Sequence, residues 1–415
     1  MAISDSFSET GVPYYRGQNI HHYFIEESKP ICIDLKTFNL PVMKRSHLKE
    51  GDVLLSIVGT IGGVALVSSN ENATCNCKLA IFRPNNTDGY FLSAFLKSKY
   101  GQNQIKKFTR GAVQMGLILE DMNQIMVPIF SEDFQLTVRA LVQNAKEKSY
   151  QTTKAYINAE NVLLSEIGLE NFESSNELVN IKSFKESFGV TKRLDAEFYQ
   201  KKYEQITEKI VTQKHDILIN IVEICKSIEP GSKNYSDGEG LPFYRVSDYT
   251  KFGLSKPNKE LTNTFFVENK DLINKLKPKK NTILFSKDGS VGTAYLLRHD
   301  LDGITSGAIL HLQIKNTKEI LPEYLTLVLN SKLVQMQAEK DVGGSIILHW
   351  RKEEIEQVVV PIIDFNKQKQ IAKLVEESFR LKVESERLLE VAKKAVEIAI
   401  EQNEAVAIKF IKDNN

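Results

Sequence analysis

The sequence predicts an α+β protein: two repeated mixed α/β units, each followed by a long helix, with the two helices forming an antiparallel coiled coil. Three observations support this fold class: an internal repeat, short apolar runs inside each copy of it, and a heptad pattern after each copy. Short apolar runs between glycine, asparagine and aspartate are typical of strands. Apolar residues that recur every three or four positions are typical of helices.

The repeat is visible as motifs that return about 230 residues later, a period far longer than that of a solenoid repeat. Three pairs carry it: residues 11–16 (GVPYYR) with 240–245 (GLPFYR), 59–62 (GTIG) with 289–292 (GSVG), and 127–129 (VPI) with 360–362 (VPI). The repeating unit is therefore a whole domain. The second copy has about 45 residues ahead of its GLPFYR motif, whereas only ten residues precede the GVPYYR motif of the first copy.

These patterns divide the chain into six segments. We expect a first mixed unit at 1–130, a long helix at 131–169, a linker at 170–192, a second mixed unit at 193–364, a long helix at 365–402 and a C-terminal tail at 403–415. Within the first unit, we expect strands in the apolar runs, one helix from Phe91 to about Phe108, and a closing strand from Met122 to Ile129.

Both long helices carry apolar or small residues at alternating spacings of three and four, which is typical of a coiled-coil seam. Each seam needs a second apolar stripe, and the repeat supplies one, so we expect the helices to pair in antiparallel fashion. At 1.5 Å per residue, such helices form a rod of roughly 50 Å. The predicted seam includes Val138, Val142, Tyr156, Leu163, Ile371, Leu374, Leu381 and Leu388.

Composition indicates an ordinary globular protein of 415 residues with 26% charged residues and a net charge of +1. A near-neutral chain is unlike proteins that coat nucleic acid indiscriminately, although basic residues can still be concentrated locally. Four cysteines are too few for a disulfide framework, and no apolar run reaches membrane-spanning length. We therefore expect a cytoplasmic protein with no membrane association.

Catalytic and metal sites find little support. The seven histidines form no metal-binding or nucleophile-activating pattern, and Cys75-Asn76-Cys77 has no second ligand pair at zinc-finger spacing. The glycine motif at 59–62 lacks the lysine of a phosphate-binding loop, so a tight turn between strands is the favoured interpretation. We expect no catalytic residue, no metal and no bound cofactor.

Basic and amide side chains after the central helix are suited to nucleic-acid contact, since arginine can pair with guanine and glutamine with adenine. The competing interpretations are a solvated loop and, for Arg16 and Arg245, a structural salt bridge. The candidate contact residues are Arg16, Gln18, Asn19, Thr60, Lys107, Arg110 and Gln114 in the first copy, and Arg245, Ser247, Lys287, Ser290, Ser345, His349 and Arg351 in the second.

Taken together, these motifs resemble the specificity subunits of Type I restriction-modification systems. The likeness rests on the RLDAEFY segment at 193–199, the Pro-aromatic-Tyr-Arg strands, the glycine turns, the loops that lead to the VPI motifs, and the long helices. It implies two target recognition domains, each of which reads one half of a split sequence in double-stranded DNA. It also implies that the helices set the gap between the half-sites and dock two methyltransferase subunits.

The resemblance further implies a non-catalytic chain that works with methyltransferase and restriction subunits. S-adenosylmethionine and ATP would then be bound only by those partners. Because the loops differ between the copies, the target should be asymmetric. Two alternatives remain open: a stand-alone bivalent DNA-binding regulator, and an enzyme whose glycine turns bind a nucleotide.

Overall fold

The computed structural model describes residues 4–20, 23–25, 30–69, 71–111, 115–173, 175, 177, 179–236, 238, 240–342 and 348–414. The chain forms two compact units. Unit one comprises Met1–Gln151 together with Leu381–Asn415, and unit two comprises Thr152–Arg380. Each unit contains one copy of the repeat and a part of each long helix. Among the described residues, no helix is both long and apolar enough to cross a membrane.

Unit one begins with short strands and helices. Its strands are β1 (Phe7–Ser8), β2 (Val12–Tyr15), β3 (Ile31–Ile33), β4 (Val53–Ser56), β5 (Val64–Leu66), β6 (Thr74–Cys75) and β7 (Leu79–Phe82). Its helices are α1 (Leu35–Phe38), α2 (Gly89–Lys97), α3 (Lys99–Phe108), α4 (Leu119–Met122) and the first part of α5 (Glu132–Glu166), with 3₁₀ turns at Ser4–Ser6, Gly17–Asn19 and Pro41–Ser46.

Two sheets organise unit one. One has the strand order β1-β3-β2-β6, in which only β2 and β6 run parallel, and the other has the order β5-β4-β7 and is antiparallel throughout. All four residues of β4 are buried, which explains why its sequence is an unbroken apolar run that ends in a serine.

Unit two repeats this plan with additions. Its strands are β8 (His215–Ile217), β9 (Val222–Lys226), β10 (Tyr235–Ser236), β11 (Leu241–Tyr244), β12 (Tyr249–Thr250), β13 (Gly253–Leu254), β14 (Glu260–Leu261), β15 (Ile283–Ser286), β16 (Ala294–Leu296), β17 (Ile304–Thr305), β18 (Ile309–Ile314) and β19 (Val359–Pro361). Its helices are α6 (Phe188–Thr191), α7 (Lys201–Val211), α8 (Leu218–Ile221), α9 (Asn263–Glu268), α10 (Lys270–Leu276), α11 (Pro322–Asn330), α12 (Lys332–Asp341) and α13 (Lys352–Glu356), with 3₁₀ turns at Ala196–Tyr199, Ser232–Asn234 and Val246–Asp248.

The sheets of unit two correspond to those of unit one. The order β10-β14-β11-β17 repeats the first sheet, and β16-β15-β18-β9 repeats the second with one extra strand, β9. Two small sheets, β19-β8 and β12-β13, complete the unit. Both β8 and β9 lie in the segment that precedes the GLPFYR motif, so the longer lead of the second copy has a structural consequence.

The glycine motifs form tight turns, as predicted. Gly59 and Gly62 have φ values of +85° and +89°, and Gly289 and Gly292 have φ values of +73° and +80°. Glycine adopts this backbone conformation without the steric cost that a Cβ would bring. The serine that ends the preceding strand holds each turn: the amide of Gly63 donates to Ser56 Oγ over 3.0 Å, and the amide of Thr293 to Ser286 Oγ over 2.9 Å.

The predicted single helix from Phe91 to Phe108 is wrong in one respect, because it is two helices, α2 and α3, that meet at Ser98. Ser98 Oγ accepts a hydrogen bond from the amide of Gly101 at 3.3 Å and so caps α3. A Cβ at Gly101 would lie 2.4 Å from the carbonyl oxygen of Phe95, so the tight approach at this break requires glycine.

The predicted closing strand from Met122 to Ile129 is also wrong. Met122 ends α4, and residues 123–129 form no strand, although the matching segment of the second copy is β19. The reason is the partner: β19 pairs with β8, and no described strand of unit one corresponds to β8. A strand without a neighbour has no ladder of backbone hydrogen bonds to define it.

The long helices pair in antiparallel fashion, as the heptads predicted. They are α5 and α14 (Phe365–Glu401). Contacts at increasing residue numbers in α5 are made by decreasing residue numbers in α14. In unit one, Ser385 Oγ donates to the carbonyl of Ala145 over 2.7 Å. In unit two, Ser378 Oγ donates to the carbonyl of Thr152 over 2.9 Å, and Lys367 pairs with Glu166 over 2.7 Å.

The predicted seam residues lie inside the two cores. The core of unit one contains Val138, Val142 and Leu388, all buried. The core of unit two contains the buried Tyr156, Leu163 and Ile371, and the half-buried Leu374 packs against it. The side chain of Leu381 is also buried. The buried hydroxyls of Ser378 and Ser385 have hydrogen-bond partners, because each donates to a carbonyl of the opposite helix. This allows small polar residues to occupy heptad positions.

The two segments outside the expected units and long helices also contact the rest of the chain. The expected tail at 403–415 contains helix α15 (Glu404–Asn414), whose Ala407 and Ile411 are buried in the core of unit one. The expected linker at 170–192 belongs to unit two, where Phe172 packs against the core and Asn180 Nδ2 donates to the carbonyl of Tyr199 over 2.7 Å.

Candidate nucleic-acid interface

In each unit, the glycine turn and the loop after the central helix are joined by backbone hydrogen bonds. In unit one, the amide of Leu117 donates to the carbonyl of Ile57 over 2.9 Å. In unit two, the amide of Trp350 donates to the carbonyl of Lys287 over 2.8 Å, and that of Gly289 to the carbonyl of Leu348 over 2.9 Å. We call each joined pair the turn–loop surface: residues 57–62 with 109–111 and 115–117 in unit one, and residues 287–292 with 348–351 in unit two.

A second pair of contacts shows how closely the units correspond. The side-chain amide of Gln104 both donates to the carbonyl of Met126 (3.0 Å) and accepts from its amide (2.9 Å). Gln337 makes the same two contacts with Val359, over 3.0 and 2.8 Å. The segments that follow the two loops are therefore held at equivalent places, whether or not they form a strand.

Arg110 is the principal cation of the turn–loop surface of unit one. Its guanidinium pairs with Asp121 over 2.6 Å, and its backbone forms a bridge with Gly116. Asp121 is buried, whereas the side chain of Arg110 is 67% exposed. The buried carboxylate therefore fixes one side of the guanidinium, and the remaining donors face outward, where they can pair with base or phosphate acceptors.

The other candidates in the first turn and loop have different placements. Thr60 and Lys107 are exposed, and the carbonyl of Thr60 accepts a hydrogen bond from Ser56 Oγ. Gln114 lies outside the described residues. The exposed hydroxyl and ammonium groups are of the type that contacts phosphate.

Unit two places different chemistry at the same positions. Asp288 lies between two basic partners: Lys287 Nζ at 2.5 Å and His349 Nδ1 at 2.9 Å. The corresponding turn of unit one has Ile57 and Val58, and its loop has Gly116. The two surfaces thus share a backbone arrangement and present different side chains.

The remaining candidates of unit two have mixed placements. Ser290 is exposed at the tip of the turn, and Ser345 lies outside the described residues. The guanidinium of Arg351 is largely exposed, and its Nε donates to Glu354 over 3.0 Å, at the start of α13. Arg351 therefore also has a structural role in starting that helix.

Arg16 and Arg245 occupy equivalent 3₁₀ turns. The amide of Arg16 donates to Asn19 Oδ1 over 2.9 Å, and the amide of Arg245 donates to Asp248 Oδ2 over 2.8 Å. Asn19 is buried and so shapes the turn. The guanidinium of Arg245 lies 3.6 Å from the buried Asp248, which favours the salt-bridge interpretation for this residue. Neighbouring Gln18 and Ser247 are exposed.

Sequence reasoning gave no role to Arg193, which holds the base of the second loop. Its guanidinium pairs with Asp195 (2.6 Å), donates to the carbonyl of Asp341 (2.9 Å) and lies 4.0 Å from Glu354. It also stacks over the ring of Phe198 at 4.4 Å. The signal was present in the sequence as the RLDAEFY segment, which occurs in the second copy and has no counterpart in the first.

At the base of this loop, the carboxyl group of Asp341 has a raised pKa. Burial raises the pKa of Asp341 to about 6, against the lowering effect of Lys340. Arg193, Phe198, Lys340 and Asp341 line a cavity of about 490 Å³. Within the described part of the chain, no cluster of three or more histidine, cysteine or acidic side chains could hold a metal ion.

Comparison with known proteins finds similarity in the second half of the chain. Residues 217–392 match the family model described as the Type I restriction modification DNA specificity domain. This match covers less than half of the chain, so residues 217–392 are similar to that specificity domain. The matched residues include the second turn–loop surface and most of α14.

Solved specificity subunits align over nearly the whole chain at low similarity. The Type I restriction-modification specificity subunit from M. genitalium is 14% identical, with a TM-score of 0.40, over 95% of this chain and 90% of that one. The HsdS subunit from Thermoanaerobacter tengcongensis is 14% identical, with a TM-score of 0.31, over 99% of this chain and 94% of that one. No curated relative matches the sequence.

Proposed function

We propose that this chain is a specificity subunit that recognises an asymmetric, bipartite DNA sequence, with one half-site read by each turn–loop surface. The observation that carries the proposal is the pair of surfaces built on the same backbone bonds but bearing different side chains. A shared scaffold places both loops in the same way within their units. Different side chains then give each unit a different half-site.

The chemistry of each surface suggests what it reads. Arg110 presents guanidinium donors, which suit the N7 and O6 acceptors of guanine in the major groove. The carboxylate of Asp288 is an acceptor, which suits the N4 amino group of cytosine, and His349 adds a donor or an acceptor beside it. Thr60, Lys107, Ser290 and the exposed Gln18 and Ser247 supply phosphate contacts.

We further propose that the chain acts with two methyltransferase subunits and with restriction subunits in the cytoplasm. The match of residues 217–392 to a Type I restriction modification DNA specificity domain supports methyltransferase and restriction subunits, and DNA, as partners. The near-neutral net charge of +1 supports a complex in which these partners supply much of the affinity for the DNA backbone. The outward faces of α5 and α14 are rich in lysine and glutamate and offer a docking surface for methyltransferase subunits.

The test is co-expression with the neighbouring methyltransferase gene, followed by mapping of methylated adenines. We expect one bipartite motif that disappears when the specificity subunit is omitted. A symmetric motif, or methylation that does not depend on this chain, would contradict the proposal. Tight, strongly salt-dependent binding of DNA by the isolated chain would instead support a stand-alone regulator.

A further inference from the structure

The hairpin that carries the second turn–loop surface is attached to the long helices within unit two. Strands β15 and β16 pair in antiparallel fashion, and the turn at 287–292 joins them. Tyr295 lies in β16, and Arg298 lies two residues beyond the end of that strand. Contacts that fix these two side chains therefore also fix the position of the turn.

Both side chains contact Phe379, a buried residue of α14. The guanidinium of Arg298 lies 3.4 Å from the centre of the Phe379 ring, and its Nη2 pairs with Glu376, one helical turn away, over 2.7 Å. The centres of the Tyr295 and Phe379 rings are 6.1 Å apart. A guanidinium that stacks on a buried ring and also pairs with a carboxylate is fixed in both position and orientation.

A second hairpin meets the same ring. Strands β12 and β13 pair with each other, and Phe252 lies in the turn between them. The ring of Phe252 lies 5.1 Å from that of Tyr156 in α5 and 6.4 Å from that of Phe379. The hydroxyl of Tyr249 in β12 donates to the carbonyl of Thr293, directly after the glycine turn, over 3.0 Å. The two hairpins thus contact each other and both long helices. We call the following set the helix clamp: Tyr156, Phe252, Tyr295, Arg298 and Phe379.

Unit one makes a contact at the corresponding place with different groups. Lys146 of α5 occupies the position that corresponds to Phe379. Its Nζ donates to the carbonyl of Ser68, which corresponds to Arg298, over 2.9 Å. Ala65 replaces the tyrosine of β16 and has no ring to stack. A lysine has a flexible stem and restricts its partner less than a stacked guanidinium does, so the attachment is tighter in unit two.

We propose that the helix clamp is a positioning element that holds the second turn–loop surface at one angle and distance from the long helices, and so makes the chain require one spacer length between its half-sites. The inference rests on the proposed function, because only a protein that reads two half-sites has a spacer. One added base pair moves a half-site by about 3.4 Å and rotates it by about 34°, since a helical turn of about 34–36 Å contains about 10–10.5 base pairs. A turn that is fixed to the helices follows this movement only if the clamp opens.

The test is methylome mapping in cells that carry the full chain with the methyltransferase, scored for spacer length and for half-site sequence separately. Arg298→Ala and Phe252→Ala should each raise methylation at sites with a spacer one base pair longer or shorter by about three- to tenfold. The reason is that the wild-type chain must break a clamp contact at such sites, whereas the variants have already lost it. The half-site sequences should stay the same, because no clamp residue belongs to a turn–loop surface.

Two variants serve as controls. His299→Ala changes the exposed neighbour of Arg298, and Phe252→Tyr keeps a ring and installs the residue that unit one has at Tyr23. Both should keep the wild-type spacer. An unchanged spacer distribution in Arg298→Ala and Phe252→Ala, or a loss of half-site sequence preference in them, would overturn the inference and leave the bipartite target in place. Absence of a bipartite motif with the wild-type chain would overturn the proposed function, and the inference with it.

A second measurement decides the case of a variant that no longer methylates. Distances between spin labels at Ser290, in the turn, and Lys373, on α14, report within unit two how the turn is held; both residues are exposed. In the isolated full chain, we expect Arg298→Ala to give a broader distance distribution than wild type and His299→Ala to leave it unchanged. Equal widths for Arg298→Ala and wild type would overturn the inference.

Discussion

The two turn–loop surfaces share the backbone hydrogen bonds that join turn to loop, but different arginine contacts fix the two loops to the rest of their units. Both join a glycine turn to a loop through a backbone hydrogen bond from Leu117 or from its counterpart Trp350. In unit one, the loop is anchored from within, by Arg110 on Asp121. In unit two, it is anchored from outside, by Arg193 of an earlier segment.

The comparison separates two sets of contacts: those that hold each surface together, which we call the scaffold, and the surface side chains that we propose contact DNA. The hydrogen bonds of the scaffold involve backbone atoms and the paired glutamines and serines, which are the same in both units. The side chains at the surface can differ because the backbone bonds join turn and loop in both units, although in unit two His349 also contacts Asp288 over 2.9 Å. Under the proposed function, a half-site can therefore change by substitution in the loop while the backbone contacts of the domain stay the same.

The largest expected effect follows from the residue beneath each loop. Trp350 is fully buried, and Trp350→Ala should destabilise unit two by about 3–5 kcal/mol, whereas Leu117→Ala should cost unit one about 2–4 kcal/mol because a smaller cavity forms. Amide exchange of the core strands under mild denaturant measures each unit separately. Leu348→Ala, at an exposed neighbour, should change stability by less than about 0.5 kcal/mol. Equal losses at Trp350 and Leu117 would show that the two loops are supported alike.

Much of the fold that the two units share could be predicted from the sequence. The predictions that failed or were missed have a common cause, because they depend on contacts between residues far apart in the sequence. The heptad seam, the strands beside the glycine turns and the repeat are local or periodic signals, and they predicted the pairing of α5 with α14 correctly. The closing strand at 122–129 failed because strand formation depends on a partner far along the chain, and the VPI motif is identical with or without that partner. Arg193 was missed as an anchor because its contacts lie about 150 residues away in sequence.

The second prediction concerns acid stability. Burial lowers the pKa of His311 to about 4, and its imidazole hydrogen-bonds to Thr305 over 2.8 Å; the matching residue of unit one is Ile81. Because the folded pKa lies below the ordinary value of 6.5, the unfolded chain binds more protons between these values. The stability of unit two should then fall as pH drops from 6.5 towards 4, by about 2–3 kcal/mol.

His311→Ile provides the control for that prediction, since it installs the residue that unit one uses. The variant should lose this pH dependence while the acid response of unit one stays the same. Asp341 titrates with the opposite sign, since its raised pKa of about 6 favours the folded state as pH falls, and it remains in both proteins. An unchanged pH dependence in His311→Ile would mean that His311 is not kept neutral by burial.

The third prediction divides specificity between the units. Arg110→Ala should relax one half of the methylated motif and leave the other intact, while His349→Ala should affect only the other half, each by about 1–3 kcal/mol of discrimination. Methylome sequencing of cells that carry each variant with the methyltransferase detects this as partial methylation at mismatched half-sites. Lys107→Ala is the comparison variant: it should weaken binding to all sequences and lower the salt slope by about 1. A single substitution that degrades both half-sites equally would contradict the two-reader proposal.

The smallest expected effect tests the scaffold itself. Ser56 and Ser286 each end a strand, hold the glycine turn through their hydroxyls and are buried. Ser56→Ala and Ser286→Ala should each cost about 1 kcal/mol of stability in their own unit, because one buried hydrogen-bonding group is lost at the same geometry. Exchange rates of the Gly63 and Thr293 amides measure the loss at each turn. Since neither hydroxyl lies on the outward face of the loop, the recognised sequence should be unchanged in both variants. A change in half-site preference for either would place the serine in the reading chemistry and remove the distinction between scaffold and surface.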